Sequence, residues 1–184
     1  MFPSTLKEKL KELGVQPTPH LLIISISQQT LTLYHRTRKV KEYPISTAEK
    51  GAGQKENSWQ TPLGLHRIQE KIGENAPLGA LFKSRKWTGE VWMPDSELAM
   101  EKRDSDLITS RILWLEGMEP GFNSGRDSDD DVVDSYQRYI YIHGTNQEEQ
   151  IGEPCSKGCI RLRNHAIHDV FSHVKVGDLV WIEE

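Results

Sequence analysis

Cysteine is scarce in this sequence: two residues among 184, Cys155 and Cys159. They stand too close together for a bridge to staple anything, so a secreted disulfide framework is excluded and two free thiols are expected. Long apolar runs are absent as well. None approaches the ~20 residues that a membrane-crossing helix needs. The opening stretch MFPSTLKEKLKELGV has neither an apolar signal core nor a small-residue cleavage site, so a cytoplasmic protein is the expectation. Excess positive charge is missing too: 23 Lys and Arg against 27 Asp and Glu give a formal −4. That argues against a nucleic-acid partner, because neutralising phosphates requires a basic face. A small anionic substrate stays open, since a few local Arg and Lys side chains suffice. Internal repeats and linker-like shifts of composition are also lacking. The acidic run RDSDDDVVD (126–134) has neither the glycine nor the closing glutamate of a calcium loop, and reads as a solvated loop.

What remains is an ordinary globular composition, 36% hydrophobic and 27% charged, enough for one well-cored domain. Leu6, Leu10 and Leu13 fall on one helical face, Thr5 and Glu8 are spaced as a capping box, and Gly14 supplies a stop. Residues 1–19 are thus expected to form a short amphipathic helix and a linker. HLLIISISQQTLTLYHRTRKVKEYPIST (20–47) reads as three strands with tight connections, and 65–72, 110–117 and the C-terminal KVGDLVWIEE as further strands. SYQRYIYIHGT (135–145) alternates and is expected to bring His143 to a strand's end. NHAIHDVFSHV carries Ile167, Val170, Phe171 and Val174 at helical spacing, with Asn164 as the expected N-cap. From Gly73 to about Asp106 the signals are irregular. Phe82, Trp87 and Trp92 there read as a lid's own packing rather than a sugar platform, although neighbouring Arg85 and Lys86 leave a substrate role open. The sum is a β-rich domain with two or three short helices.

Chemistry concentrates in IHGTNQEEQIGEPCSKGCIRLRN (142–164). Cys159 follows a turn whose consecutive N–H groups suit an oxyanion, and Gly158 permits close approach of a substrate carbonyl. Lys157, Arg161 and a nearby imidazole all favour a thiolate, and His143 is the natural base. Two other readings stay open on spacing alone. The thiols could be inert, or Cys155, Cys159, His165 and His168 could hold a zinc ion in a structural protein, although that spacing is tighter than a zinc finger's. His20, His35, His66 and His173 read as surface or structural residues, Tyr139 and Tyr141 as core or sheet-face residues, and Cys155 as a small thiol near the site.

The same stretch resembles the signature of the YkuD-type L,D-transpeptidase catalytic domain, which runs H-G-T, a loop, then S-x-G-C-[IV]-R. His143, Gly144, Ser156, Gly158, Cys159, Ile160 and Arg161 match, as does Asn164 beyond them. IISISQQTLTLY, YPIST and TPLG (61–64) resemble the family's earlier elements in order. Lys157 stands where many relatives carry histidine, and 73–135 is longer and more acidic than a compact relative needs.

The resemblance implies a mixed β-sandwich over 20–184, with 73–135 as a lid or cleft wall, and no cofactor or metal. It implies Cys159 as nucleophile, His143 as base and the Gly144 carbonyl as the group that fixes the imidazole. Ser156 and the backbone of Lys157 and Gly158 would bind the oxyanion or substrate. Arg161 would anchor a carboxylate or, the favoured reading, brace the loop through backbone carbonyls. The implied substrate is a peptidoglycan tetrapeptide or muropeptide, cleaved between a diamino acid's L-centre and D-alanine through a thioester. With no export signal recognised, water is the expected acceptor, giving an L,D-carboxypeptidase of muropeptide recycling. An L,D-transpeptidase that forms crosslinks or exchanges D-amino acids is the alternative. Oligomeric state is not legible.

Overall fold

The computed structural model describes residues 2–184. Helix α1 (Ser4–Glu12) begins at Ser4 because Pro3, at φ −51°, is already set for a helix start. The expected capping box between Thr5 and Glu8 therefore does not form, and no side chain caps this end. The other end closes as expected: Gly14 adopts φ 65°, its N–H reaches the Lys11 carbonyl, and the Val15 N–H reaches that of Leu10.

Ten strands follow: β1 (His20–Ser25), β2 (Thr30–His35), β3 (Arg38–Pro44), β4 (Gly64–Ile72), β5 (Ala80–Lys83), β6 (Lys86–Val91), β7 (Ile108–Gly117), β8 (Tyr141–Gly144), β9 (Ile160–Leu162) and β10 (Leu179–Glu183). They form one mixed sheet in the order β3-β2-β1-β10-β4-β7-β5-β6, with β8 and β9 branching from β7. Only β1–β10 and β8–β9 pair in parallel among the named strands. The mixed architecture is thus present as one continuous branched sheet. The branch occurs where β7 is irregular: buried Ser110 sits at φ 64°, and the β7–β8 register shifts between Thr109 and Ile112.

Strand alternation sorts the core into three clusters. Leu22, Ile24, Leu113, Leu115, Ile142 and Ile160 face one cluster, roofed by Ile167, Val170 and Phe171 of helix α3 (Asn164–His173). Leu21, Ile23, Leu65 and Trp181 face the other way, against Leu6 and Leu10 of α1. Ile112 and Trp114 turn from the first cluster into a third, with Ala80, Phe82, Tyr141 and Cys159.

Three expectations need correction. The stretch 73–106, read as irregular, contains the β5–β6 hairpin and a short helix α2 (Glu97–Glu101); Phe82 is core, while Trp87 is exposed. The alternating run before His143 is strand only from Tyr141. Ahead of it the chain turns: the Asp134 carboxylate accepts from the Gln137 N–H, its carbonyl accepts from the Arg138 N–H, and Tyr139 takes φ 57°. Asn164 is the first residue of α3 rather than its cap, which is Arg163. The 126–134 stretch is organised by its own bonds, with Asp127 Oδ1 accepting the N–H groups of Asp129 and Asp131.

Candidate active site

Parallel pairing of β8 with β9 sets Ile142 opposite Ile160 and His143 opposite Arg161. Because Ile142, Ile160 and Leu162 are drawn into the core, Tyr141, His143, Cys159 and Arg161 fall on the opposite side. His143, Ser156, Lys157, Cys159 and Arg161 line one cavity of about 140 Å³, with Asp106 and Ile108 on its far wall. The sequence-selected residues therefore converge, and residues of 73–135 wall their cavity.

His143 is buried, and its Nδ1 lies 2.7 Å from the Gly144 carbonyl oxygen. A carbonyl only accepts, so Nδ1 carries the hydrogen and Nε2 is left with its lone pair. Burial pulls the imidazole's pKa below its ordinary value, partly offset by that hydrogen bond and by Asp106. A neutral ring with one fixed basic nitrogen results. Gly144 tolerates no side chain: a Cβ there would lie 2.6 Å from the Thr109 carbonyl oxygen and 2.8 Å from Asn164 Oδ1. Asn164 is locked beneath it. Its Oδ1 accepts from Thr109 and Ser110, and its Nδ2 donates to the Thr145 carbonyl and to Glu148.

The half-buried Cys159 thiol lies 3.4 Å from the Tyr139 carbonyl oxygen, to which it donates, and 3.4 Å from the Tyr141 N–H, from which it accepts. Desolvation pushes its pKa up to about 11, against the pull of the Tyr141 N–H and of Arg138 and Arg161. At rest it is a neutral thiol.

The loop before Cys159 is braced from within. Ser156 Oγ donates to the Cys159 carbonyl at 2.6 Å and accepts from the Gly158 N–H at 3.3 Å. Of the N–H groups expected to face an oxyanion, that of Gly158 is thus engaged with Ser156. Gly158 itself takes φ 125°, which a side chain would strain. Thr61 ties this loop to the TPLG turn, its Oγ1 donating to the Gly158 carbonyl and accepting from the Ala48 N–H, both at 3.0 Å.

Arg161 is buried and braces the loop, but through side chains rather than backbone carbonyls. Nη1 donates to Asp106 and Gln147, both at 2.9 Å, and Nη2 to Gln150 at 3.3 Å and to the Cys155 sulfur. Cys155 therefore serves Arg161. His165 and His168 lie exposed on α3, and among the described residues no group of three or more metal-ligating side chains is gathered, so the zinc reading has no assembled site.

Two contributors escaped the sequence reading. Asp106 reaches Arg161 across 55 residues of chain, held near by Asn146, whose Oδ1 accepts the Leu107 N–H and whose Nδ2 donates to the Ser105 carbonyl. Arg138 donates to the carbonyls of Gly53, Gln54 and Gln60 and to Ser58 Oγ, all of them neutral. Burial lowers its pKa to about 10, leaving it charged at neutral pH beside Cys159.

Comparisons with known proteins bear on the family and the fold. The model of the YkuD L,D-transpeptidase catalytic domain matches residues 19–182. The probable L,D-transpeptidase ErfK/SrfK of Salmonella typhimurium is 33% identical over 122 residues, 66% of this chain and 36% of that protein. The putative L,D-transpeptidase YkuD of Bacillus licheniformis is 26% identical over 166 residues, 89% of this chain and 66% of that one. An L,D-transpeptidase structure from Xylanimonas cellulosilytica matches with a TM-score of 0.53 at 15% identity, covering 99% of this chain and 70% of the other. L,D-transpeptidase 3 from Mycobacterium tuberculosis, in complex with a faropenem-derived adduct, matches at 0.54 and 17%, over 90% and 60%. At such identities the solved structures speak for the fold alone. The chain spans about a third of the length of the Salmonella relative. With the family model covering nearly all of it, and the motif residues gathered around one cavity, this chain belongs to the family of L,D-transpeptidase catalytic domains.

Proposed function

We propose that this domain cleaves the bond between a diamino acid's L-centre and a terminal D-alanine in peptidoglycan stem tetrapeptides. Cys159 is the nucleophile, His143 the base, and water the acceptor. The carrying observation is that a thiol and a neutral imidazole of fixed tautomer share one small cavity. Cys159 Sγ attacks the carbonyl carbon as its proton passes to His143 Nε2. The C–N bond breaks, the proton goes to the leaving amine, and a thioester remains. Water then attacks the thioester, with His143 taking its proton and returning it to sulfur. Because the thiol is neutral at rest, proton removal accompanies attack instead of preceding it.

Cavity size supports water over a second peptide. About 140 Å³ bounded by Asp106, Ile108 and Lys157 has room for an acyl end and a water, whose share of liquid volume is ~30 Å³. Recycled cytoplasmic muropeptides are the substrate source that goes with hydrolysis.

The test is mass spectrometry of the domain incubated with a tetrapeptide, beside a Cys159→Ala control. Tripeptide and free D-alanine that vanish with Cys159→Ala are the expected products. Crosslinked or amino-acid-exchanged products alone would establish the transpeptidase instead. No turnover and no adduct on Cys159 would refute the acyl-transfer reading.

A further inference from the structure

Arg85 sits at the tip of the β5–β6 hairpin, in the two-residue turn Lys83–Ser84–Arg85–Lys86. Ser84 takes φ 48° and Arg85 φ 67°. Such a turn favours Asn-Gly, and two side-chain-bearing residues in the left-handed region hold strain that persists only where the surroundings fix it. The surroundings here are aromatic. The guanidinium carbon stands 4.9 Å from the Trp114 ring centroid and 5.2 Å from that of Tyr139, while Nη1 lies 3.4 Å from the Tyr141 hydroxyl. Trp114 is itself fixed, stacked 4.0 Å from Tyr136 and donating from Nε1 to the Tyr136 carbonyl.

The two tyrosines that hold this guanidinium by their side chains hold the Cys159 sulfur by their backbones. Thiol and cation are thus held by one pair of residues. No described carboxylate forms an ion pair with Arg85; the nearby Glu70 is spent on the Tyr136 hydroxyl. A flat, oriented, half-buried and unneutralised guanidinium is the partner a carboxylate takes in two parallel hydrogen bonds.

We propose that Arg85 binds a free carboxylate of the substrate beside the scissile bond. This rests on the donor assignment above, which brings two such carboxylates. One belongs to the terminal D-alanine, a single residue (at most ~3.6 Å) beyond the attacked carbonyl. The other is a side-chain carboxylate on the diamino acid itself, where it carries one.

The experiment compares three tetrapeptides: one with a free C-terminus and a carboxylate-bearing diamino acid, its C-terminal amide, and its lysine analogue. Each is run with the unmodified protein, Arg85→Gln and Arg85→Lys. Loss of a charge-assisted bidentate contact is expected to raise KM for the bound carboxylate about 10- to 100-fold in Arg85→Gln, with a smaller rise in Arg85→Lys. The analogue already lacking that carboxylate should not respond, so whichever analogue is insensitive to Arg85→Gln names the source. An equal loss on all three substrates would mean a merely structural residue and overturn the proposal. A second arm needs no turnover: acetyl-D-alanine, acetyl-lysine bearing a side-chain carboxylate and their amides are titrated by NMR into Cys159→Ala, with and without Arg85→Gln. Carboxylate-selective binding that disappears with Arg85→Gln supports the site even where the donor assignment fails. Binding without that selectivity, or none, overturns the site even where the tetrapeptide is cleaved.

Discussion

The state of the Cys159 thiol allows a sharp test. Burial holds it near pKa 11, against about 8.5 for a free cysteine. At pH 7 the thiolate fraction is then about 10⁻⁴, where an unperturbed thiol would have about 3 × 10⁻². Alkylation by iodoacetamide, read by mass spectrometry at Cys159 and separately at Cys155, should therefore run roughly two orders of magnitude slower at Cys159 than at a free thiol at neutral pH. It should climb about tenfold per pH unit from 7 to 10 without levelling. His143→Gln should abolish turnover while leaving this profile nearly unchanged, because the imidazole removes the proton only as sulfur attacks. Arg138→Gln should shift the profile further upward, since that neutral-lined cation favours the thiolate. A plateau between pH 6 and 8 would refute the reasoning: it would mean a preformed thiolate–imidazolium pair, and attack without concurrent proton removal.

Two further perturbations follow from geometry. His66 is fully buried between the Gly64 carbonyl and Ser135 Oγ, and desolvation lowers its pKa to about 4. Above about pH 6.5 it is neutral folded or unfolded; as pH falls from there toward 4 only the unfolded chain gains the proton, which should cost about 3 kcal/mol of stability. Denaturant melts of His66→Gln should lose that acid slope, and an unchanged slope would sink the assignment. Gly144→Ala forces a Cβ against Thr109 and Asn164, an overpacking worth about 1–3 kcal/mol, and should lower Tm by roughly 5 °C. It should also lower kcat more than tenfold by displacing the carbonyl that fixes His143; a variant with full activity would show that carbonyl to be dispensable.

Legibility in the sequence followed the range of the interactions involved. The end of the strand that carries His143, the Gly-Cys turn and the helix over Ile167, Val170 and Phe171 are local patterns and stand where spacing put them, although that strand begins only at Tyr141. The capping box failed because Pro3 starts α1 two residues early, and Asn164 left its capping role because four distant partners claim its amide. Arg138 looked like one more alternating residue in SYQRYIYIH. Only the turn set by Asp134 directs it to the carbonyls of 53–60. Asp106 and Arg85 lie in a stretch whose local signals are irregular, and their roles arise from contacts that no spacing encodes. The hairpin that carries Arg85 was missed for a related reason: its turn, Ser-Arg, is not the residue pair that such turns advertise.

β10 lies between β1 and β4, in the middle of the sheet, yet it follows every other strand in the sequence. Without Leu179–Glu183, the β1–β2–β3 meander and the β4–β7 pairing are separate half-sheets, each with a bare edge. Val180 and Ile182 also belong to the cluster that backs Ile142 and Ile160, the residues beneath His143 and Cys159. The strand that joins the halves thus also backs the pair of strands that carries His143 and leads out of Cys159. A chain clipped before Leu179 carries the cysteine without the strand that holds the two halves of the sheet together.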